Sequence, residues 1–299
     1  MSYTPIDLST IPAPSVVESL DYLSILNAMV TDLQSRDSAF TALVESDPAW
    51  KILEVCAYRE FLLRQRVNDA SRAVMLAYAT GTDLENLGAI FGTTRKTLVA
   101  ADSTTIPPTA AVMESDADFR YRITLALQGL STAGPEGSYL YHALKSPNVI
   151  DASIVGPPTV AAGNVLVTLL GPIGRGTVTS SVIIEVAGIL NAENVRPLTD
   201  AVTVQSATIT NYTVAATIYT FSGPDSSVVL SQAQASVQAF ADAHHKIGYD
   251  IPLSGIYAAL HVPGVQRVVL SSPSADITVD YQTCAYLSGI SLTFGGVAE

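Results

Sequence analysis

The chain has 299 residues, of which 48% are hydrophobic and 14% charged, and 27 acidic side chains outweigh 15 basic ones for a net charge of -12. That length suits one to three domains, and the acidic balance excludes a nucleic-acid groove, which needs clustered Lys and Arg to displace counterions. Cys56 and Cys284 are too far apart in sequence for a disulfide framework or zinc spacing, and no uncharged apolar run reaches the length of a membrane span.

Residues 1–20 read as an extended arm, because Pro5, Pro12 and Pro14 prevent regular helix. Acids and prolines stand where a signal peptide would carry a basic and then an apolar region, so the expected site of synthesis and assembly is a reducing cytoplasm. From Asp21 to Leu43 the apolar spacing of Leu23, Leu26, Val30, Leu33, Phe40 and Leu43 predicts one or two helices.

A much longer helix is expected next. Asp47 and Pro48 form an N-cap and first-turn pair, and Gly81 is a left-handed stop after Thr80. Between Pro48 and Gly81 lie about 32 residues without Gly or Pro, roughly 48 Å of helix. Ile52, Cys56, Leu63, Val67, Ala70, Val74 and Ala77 make an apolar stripe, with Arg59 in the one missing step. Leu53, Ala57, Phe61, Leu62 and Leu76 widen it. A stripe this long exceeds what a helical domain of residues 21–96 can cover by itself. Ile52, Arg59, Leu63, Val67, Ala70 and Val74 are therefore expected to bind a partner, with Arg64, Arg66 and Arg72 at the rim. Arg59, once buried, needs a carboxylate or carbonyl. Glu60 with Arg64 and Arg66 with Asp69 are spaced for helix-surface pairs.

After Gly81, Thr82-Asp83-Leu84-Glu85 spells a capping box opening a short helix through Ile90. Residues 97–116 are rich in Thr, Ala and Pro and read as a linker. Beyond them the stretch from Tyr139 aligns with that from Gly255 at an offset of 116, matching Tyr141/Tyr257, Ala143/Ala259, Leu144/Leu260, Pro147/Pro263 and Val149/Val265. Both read as short helix, Pro turn and strand (150–155 and 266–271), with later strands at 165–170 and 277–281. A helix near 180–191 and strands at 201–206 and 209–221 complete the pattern. The fold class is thus α+β: a helical N-terminal domain with one very long helix, then two small, duplicated α+β domains at 117–206 and 207–299.

No catalytic constellation is found. His244 and His245 are adjacent, so they point about 100° apart on a helix and cannot chelate as an i, i+4 pair would; they suit the C-terminal end of a helix dipole. Gly171-Pro-Ile-Gly-Arg-Gly176 lacks the Lys-Ser/Thr ending of a phosphate loop. No cofactor and no metal is expected.

Five strings carry a resemblance: AYREFLLRQRVNDASRAVMLAYATGTDL (57–84), TTR (93–95), IPPTAAVMESDADFR (106–120), NVRPLTDAVTVQSA (194–207) and LSGIYAALHVPGVQRVVL (253–270). They resemble baseplate assembly protein J of contractile-tailed phages, a family also found in phage-derived bacteriocin tails. The similarity thins at 24–44, 171–176 and after 280. It implies a non-enzymatic wedge subunit of the tail baseplate. Its partners would be a second J-like copy, an I-like wedge protein, the sheath-initiating wedge protein and the central hub and spike, with no nucleic acid or membrane. The N-terminal helices would form a bundle, and six wedges a ring around the hub. Two other classes, a tail-associated cell-wall hydrolase and a tail-tip receptor-binding module, stand as alternatives. The first needs a paired-acid or metal cleft, the second exposed aromatics, and aromatic residues make up only 7%.

Overall fold

The computed structural model describes residues 7–298 except 13, 41–42, 131–133 and 224; most of the expected arm therefore falls on described residues, its first six positions outside them. The chain forms two compact units. One runs to Arg95 and includes Glu114–Thr124; the other takes Lys96–Met113 and everything from Leu125. The architecture is mixed α+β, with helices and small sheets.

In the helical unit, α1 (Tyr22–Arg36) starts where the Asp21 carboxylate accepts from Ser24 N at 2.8 Å. α2 (Pro48–Ala73) starts at Asp47, whose carboxylate accepts from Ala49 N at 3.4 Å. The two helices pack through Ile25, Leu26 and Ala57, flanked by Tyr22, Met29, Val30, Trp50, Leu53 and Phe61. Asn68 is buried on α2 because its amide is satisfied by backbone. It accepts from Glu18 N at 3.0 Å and donates to Glu18 O at 2.9 Å.

The expected very long helix is cut short. α2 has 26 residues and ends at Ala73; Val74 to Tyr78 are turns. The segment after it is held from elsewhere in the chain. α4 (Asp116–Leu125) presents Arg120, whose Nε donates to Leu76 O at 2.7 Å and whose Nη2 donates to Ala79 O at 2.6 Å. Those bonds fix the non-helical segment that follows α2, a charged fork bonding a carbonyl more strongly than an amide does. Gly81 keeps a positive φ of 52° but opens α3 (Gly81–Ile90) instead of closing α2. The capping box is not formed either. Thr80 is the N-cap, without a side-chain bond, and Glu85 accepts from Arg95 Nε at 3.1 Å. Ala79, Leu84, Phe119 and Ile123 form the core of this half. Gly88 has no room for a side chain: a Cβ would lie 2.6 Å from the Phe119 ring and 2.7 Å from Thr93 O.

The second unit begins with residues expected as a linker, which pair as β1 (Thr97–Val99) and β2 (Val112–Met113). Lys96, buried, anchors this excursion by donating to Ser146 O at 3.0 Å and Val149 O at 2.9 Å. Then follow α5 (Glu136–Ala143), β3 (Asp151–Val155), β4 (Asn164–Leu170), α6 (Ser180–Leu190) and β5 (Ala201–Ser206). Their sheet runs β3-β4-β5, antiparallel then parallel, with α6 as the crossover that a parallel pair requires.

The last part holds β6 (Thr208–Thr220), α7 (Ser226–His244), α8 (Leu253–Leu260), β7 (Val265–Ser272) and β8 (Thr283–Val297). Its sheet runs β7-β6-β8, β6 being antiparallel to β7 and parallel to β8. Alternation on β6 buries Tyr212, Val214, Ala216 and Ile218 against Val229, Ala233 and Val237 of α7 and Ile256 and Leu260 of α8.

Both helix–turn–strand segments of the sequence repeat occur. Ala143, Leu144 and Val149 are buried, as are Ala259, Leu260 and Val265, and Pro147 and Pro263 each sit in the turn after the short helix. Beyond that the wiring diverges: β3 pairs with the strand that follows it, β7 with the strand that precedes it. The strand expected at 277–281 is only an isolated bridge between Ile251 and Ile277, and the edge strand β8 lies after it.

Candidate subunit interface

α2 has two faces of different character. One meets α1. On the other, Ile52, Leu63, Val67 and Val74 remain 65%, 65%, 58% and 70% exposed. Cys56, Arg59, Arg66 and Ala70 are exposed with them. Steps of three and four residues put these side chains on one helix face, and Val74 continues the row just past the helix end. Val55, Tyr58 and Leu62 are also exposed and broaden it. Val55 and Tyr58 were missed in the sequence stripe, although their spacing to Leu62 carried the same helical signal.

The charged candidates separate. Arg64 lies on a flank, bonded to Glu60 at 2.6 Å and Glu18 at 3.3 Å. Arg72 lies 3.8 Å from Asp69, which also accepts from Gln65 at 2.8 Å, so Asp69 is engaged by these two and not by Arg66. Arg59 and Arg66 sit within the apolar row, and among the described residues neither makes an ion pair.

Away from α2 several polar groups bond one another or the backbone within the fold. Arg122 and Glu114 form a buried pair at 2.6 Å, and Arg95 bonds Asp116 at 2.6 Å. That bond holds the Asp116 carboxyl below its ordinary range, helped by the Gly81 N–H. His244 Nδ1 lies 2.9 Å from Phe240 O at the end of α7, and His245 Nε2 3.3 Å from Arg175 O. Asp151 accepts from Ile247 N at 2.8 Å, and burial pushes its carboxyl up. Burial, with some help from Asp151, pushes the nearby Cys284 thiol up to about 12. Among the described residues no group of three or more His, Cys, Asp or Glu could hold a metal ion, and no helix is long and apolar enough to cross a membrane.

Three family descriptions match the chain in order: the Baseplate J-like N-terminal domain over residues 45–102, the Baseplate J-like central domain over 131–206, and the Baseplate J-like protein C-terminal domain over 212–293. Baseplate protein J of Escherichia phage P2 is 45% identical over 302 residues, covering 98% of this chain and 99% of that protein. A chain in a cryo-EM structure of the anti-feeding prophage baseplate is 15% identical with a TM-score of 0.42, over 60% of this chain and 44% of that one. The protein is a structural component of a phage-tail baseplate. The chain belongs to the baseplate J-like family.

Proposed function

We propose that the chain is a non-enzymatic wedge subunit of a contractile-tail baseplate and that the exposed row of α2 binds its wedge partners. The supporting observation is the row itself. Large side chains repeat along one helix face while the opposite face is already closed by α1. Contiguous exposed apolar surface of this kind marks a protein interface, and obligate interfaces bury about 2,000 Å² or more. The partners are a second J-like copy and an I-like wedge protein, whose helices join those of residues 21–96. Arg59 and Arg66 then meet carboxylates or carbonyls of the partner chains, because a guanidinium buried without one is costly.

The α+β domains, taken as 117–206 and 207–299, supply ring contacts around the hub and spike and the contact to the sheath-initiating wedge protein. Their shared helix–turn–strand segments are remnants of a duplication in this reading. Assembly takes place in the bacterial cytoplasm before the baseplate joins the tail.

The test is Leu63→Asp with Val67→Asp, co-expressed with the neighbouring baseplate proteins. Wedge complexes should be lost from affinity co-purification while the variant chain keeps its circular dichroism. Arg72→Ala, whose partner is on its own helix, should co-purify normally. A double variant that co-purifies at wild-type yield makes α2 an internal strut and ends this reading.

A further inference from the structure

β5 ends at Ser206 and β6 begins at Thr208, so Ala207 alone separates the sheet of the β3–β5 domain from that of the β6–β8 domain. A joint of one residue could still be a hinge. Ala207 is not free to act as one: it is 4% exposed, and its N–H donates to Leu169 O at 2.9 Å, back toward β4. One residue on, Thr208 N donates to Gln282 O at 2.9 Å, just before β8. The extended chain thus exchanges β4 for β8 as its parallel partner without leaving these backbone groups unpaired.

Around Ala207 the two domains share a small core. Leu170, at the end of β4, is buried with Ala207, Ile247 and Cys284, and Ile209 packs against them. Apolar contact is non-directional and by itself lets two surfaces slide. Three polar contacts supply direction. Asp151, the first residue of β3, accepts from Ile247 N at 2.8 Å, 96 positions away in sequence. Gln205 on β5 donates to Gln282 Oε1 at 2.9 Å, and His245 Nε2 lies 3.3 Å from Arg175 O. Asp151 has the firmest counterpart. Ile247 is bridged to Cys284, and Gly248 N donates to Thr283 O at 2.9 Å, so the loop that meets the carboxylate is itself fastened to β8. Without the carboxylate the Ile247 N–H would lose its acceptor inside a buried joint, which costs more than never having made the bond.

We propose that the β3–β5 and β6–β8 domains form one mechanical block, pinned by Asp151 through Ile247 N. A load taken at either sheet then passes to the other without bending at Ala207. The two domains belong to one compact unit, and the inference uses neither α2 nor a partner chain.

The experiment places two spin labels on the full chain, at Ser180→Cys on α6 and Ser231→Cys on α7. Both positions are exposed, Cys56→Ser removes the exposed thiol, and Cys284 is buried. Electron–electron double resonance should give one narrow distance distribution. Asp151→Ala, which leaves the Ile247 N–H unpaired, should widen it about twofold. Asp151→Asn, which keeps an oxygen for that N–H, should leave it narrow. A broad distribution with Asp151 in place, no widening by Asp151→Ala, or equal widening by Asp151→Asn overturns the proposal. Should Asp151→Ala not fold, hydrogen exchange on the unsubstituted chain decides. Amides of β4 and β6 should lose protection at the same urea concentration, and separate midpoints overturn the block.

Discussion

The α1–α2 pair and the β6–β8 domain bury apolar surface to very different extents. In the domain, alternation on β6 closes against two helices, and the core side chains of β6, α7 and α8 pack against one another. In the helix pair, Ile25, Leu26 and Ala57 are the only buried apolar side chains among the described residues, while a row of larger ones on α2 stays open. The same hydrophobic driving force is satisfied within the chain in one region and leaves a row of large apolar side chains exposed in the other. On the proposed function, that row is closed by assembly.

Substitutions can break that contrast. The largest single loss is expected at the buried pair: Arg122→Met leaves Glu114 buried without its main charge partner and should cost about 3–5 kcal/mol in denaturant unfolding. Leu260→Ala, fully buried in the C-terminal core, should cost about 2–5 kcal/mol. Leu63→Ala, an equal truncation on the open face of α2, should change the isolated chain by no more than about 0.5 kcal/mol. Equal losses at Leu260 and Leu63 would show that α2 is as self-contained as the domain.

A smaller effect tests the polar packing of the α+β unit. Asp151 is buried with a raised pKa, so its charged form is disfavoured in the folded state. Below the ordinary carboxyl value of 3.8 it is protonated both folded and unfolded and carries no such penalty. The penalty grows as pH rises above that value and is complete above the folded pKa. Asp151→Asn keeps an oxygen to accept from Ile247 N and should raise the melting temperature at pH 7, with the gain shrinking toward pH 4. A gain that grows toward pH 4 would contradict this. The mildest probe does not perturb the fold. At pH 8 exposed Cys56 should be alkylated rapidly, whereas Cys284, buried and held up at about 12, should react only after unfolding. Mass spectrometry of the labelled peptides reads both.

Much of the domain's structure was legible in the sequence, because its signals are local. Strand β5 has the expected bounds, β3, β4 and α6 differ from expectation by one residue at one end, and β6 and β7 by one residue at both. The open row on α2 was legible for the same reason, since Ile52, Leu63, Val67 and Val74 announce one face by spacing alone. What stayed hidden depends on distant residues. Nothing near Ala73 says that α2 stops there, and the turn beyond it is held by Arg120, far along the chain, through Leu76 O and Ala79 O. Glu85 spells a capping box but is claimed by Arg95. β8 was missed because Ser and Gly dilute its alternation, and its parallel partner β6 lies far away in sequence. Whether Arg59 and Arg66 bind anything could not be read either, because spacing shows the face they share and not what meets it.

Hydrogen–deuterium exchange on the purified chain and on intact baseplates tests the contrast between the two regions most directly. In the isolated chain, amides of residues 52–73 should exchange much faster than those of β6. In baseplates the protection of 52–73 should rise by at least tenfold while that of β6 stays the same. Equal protection of α2 in the two samples would contradict the account.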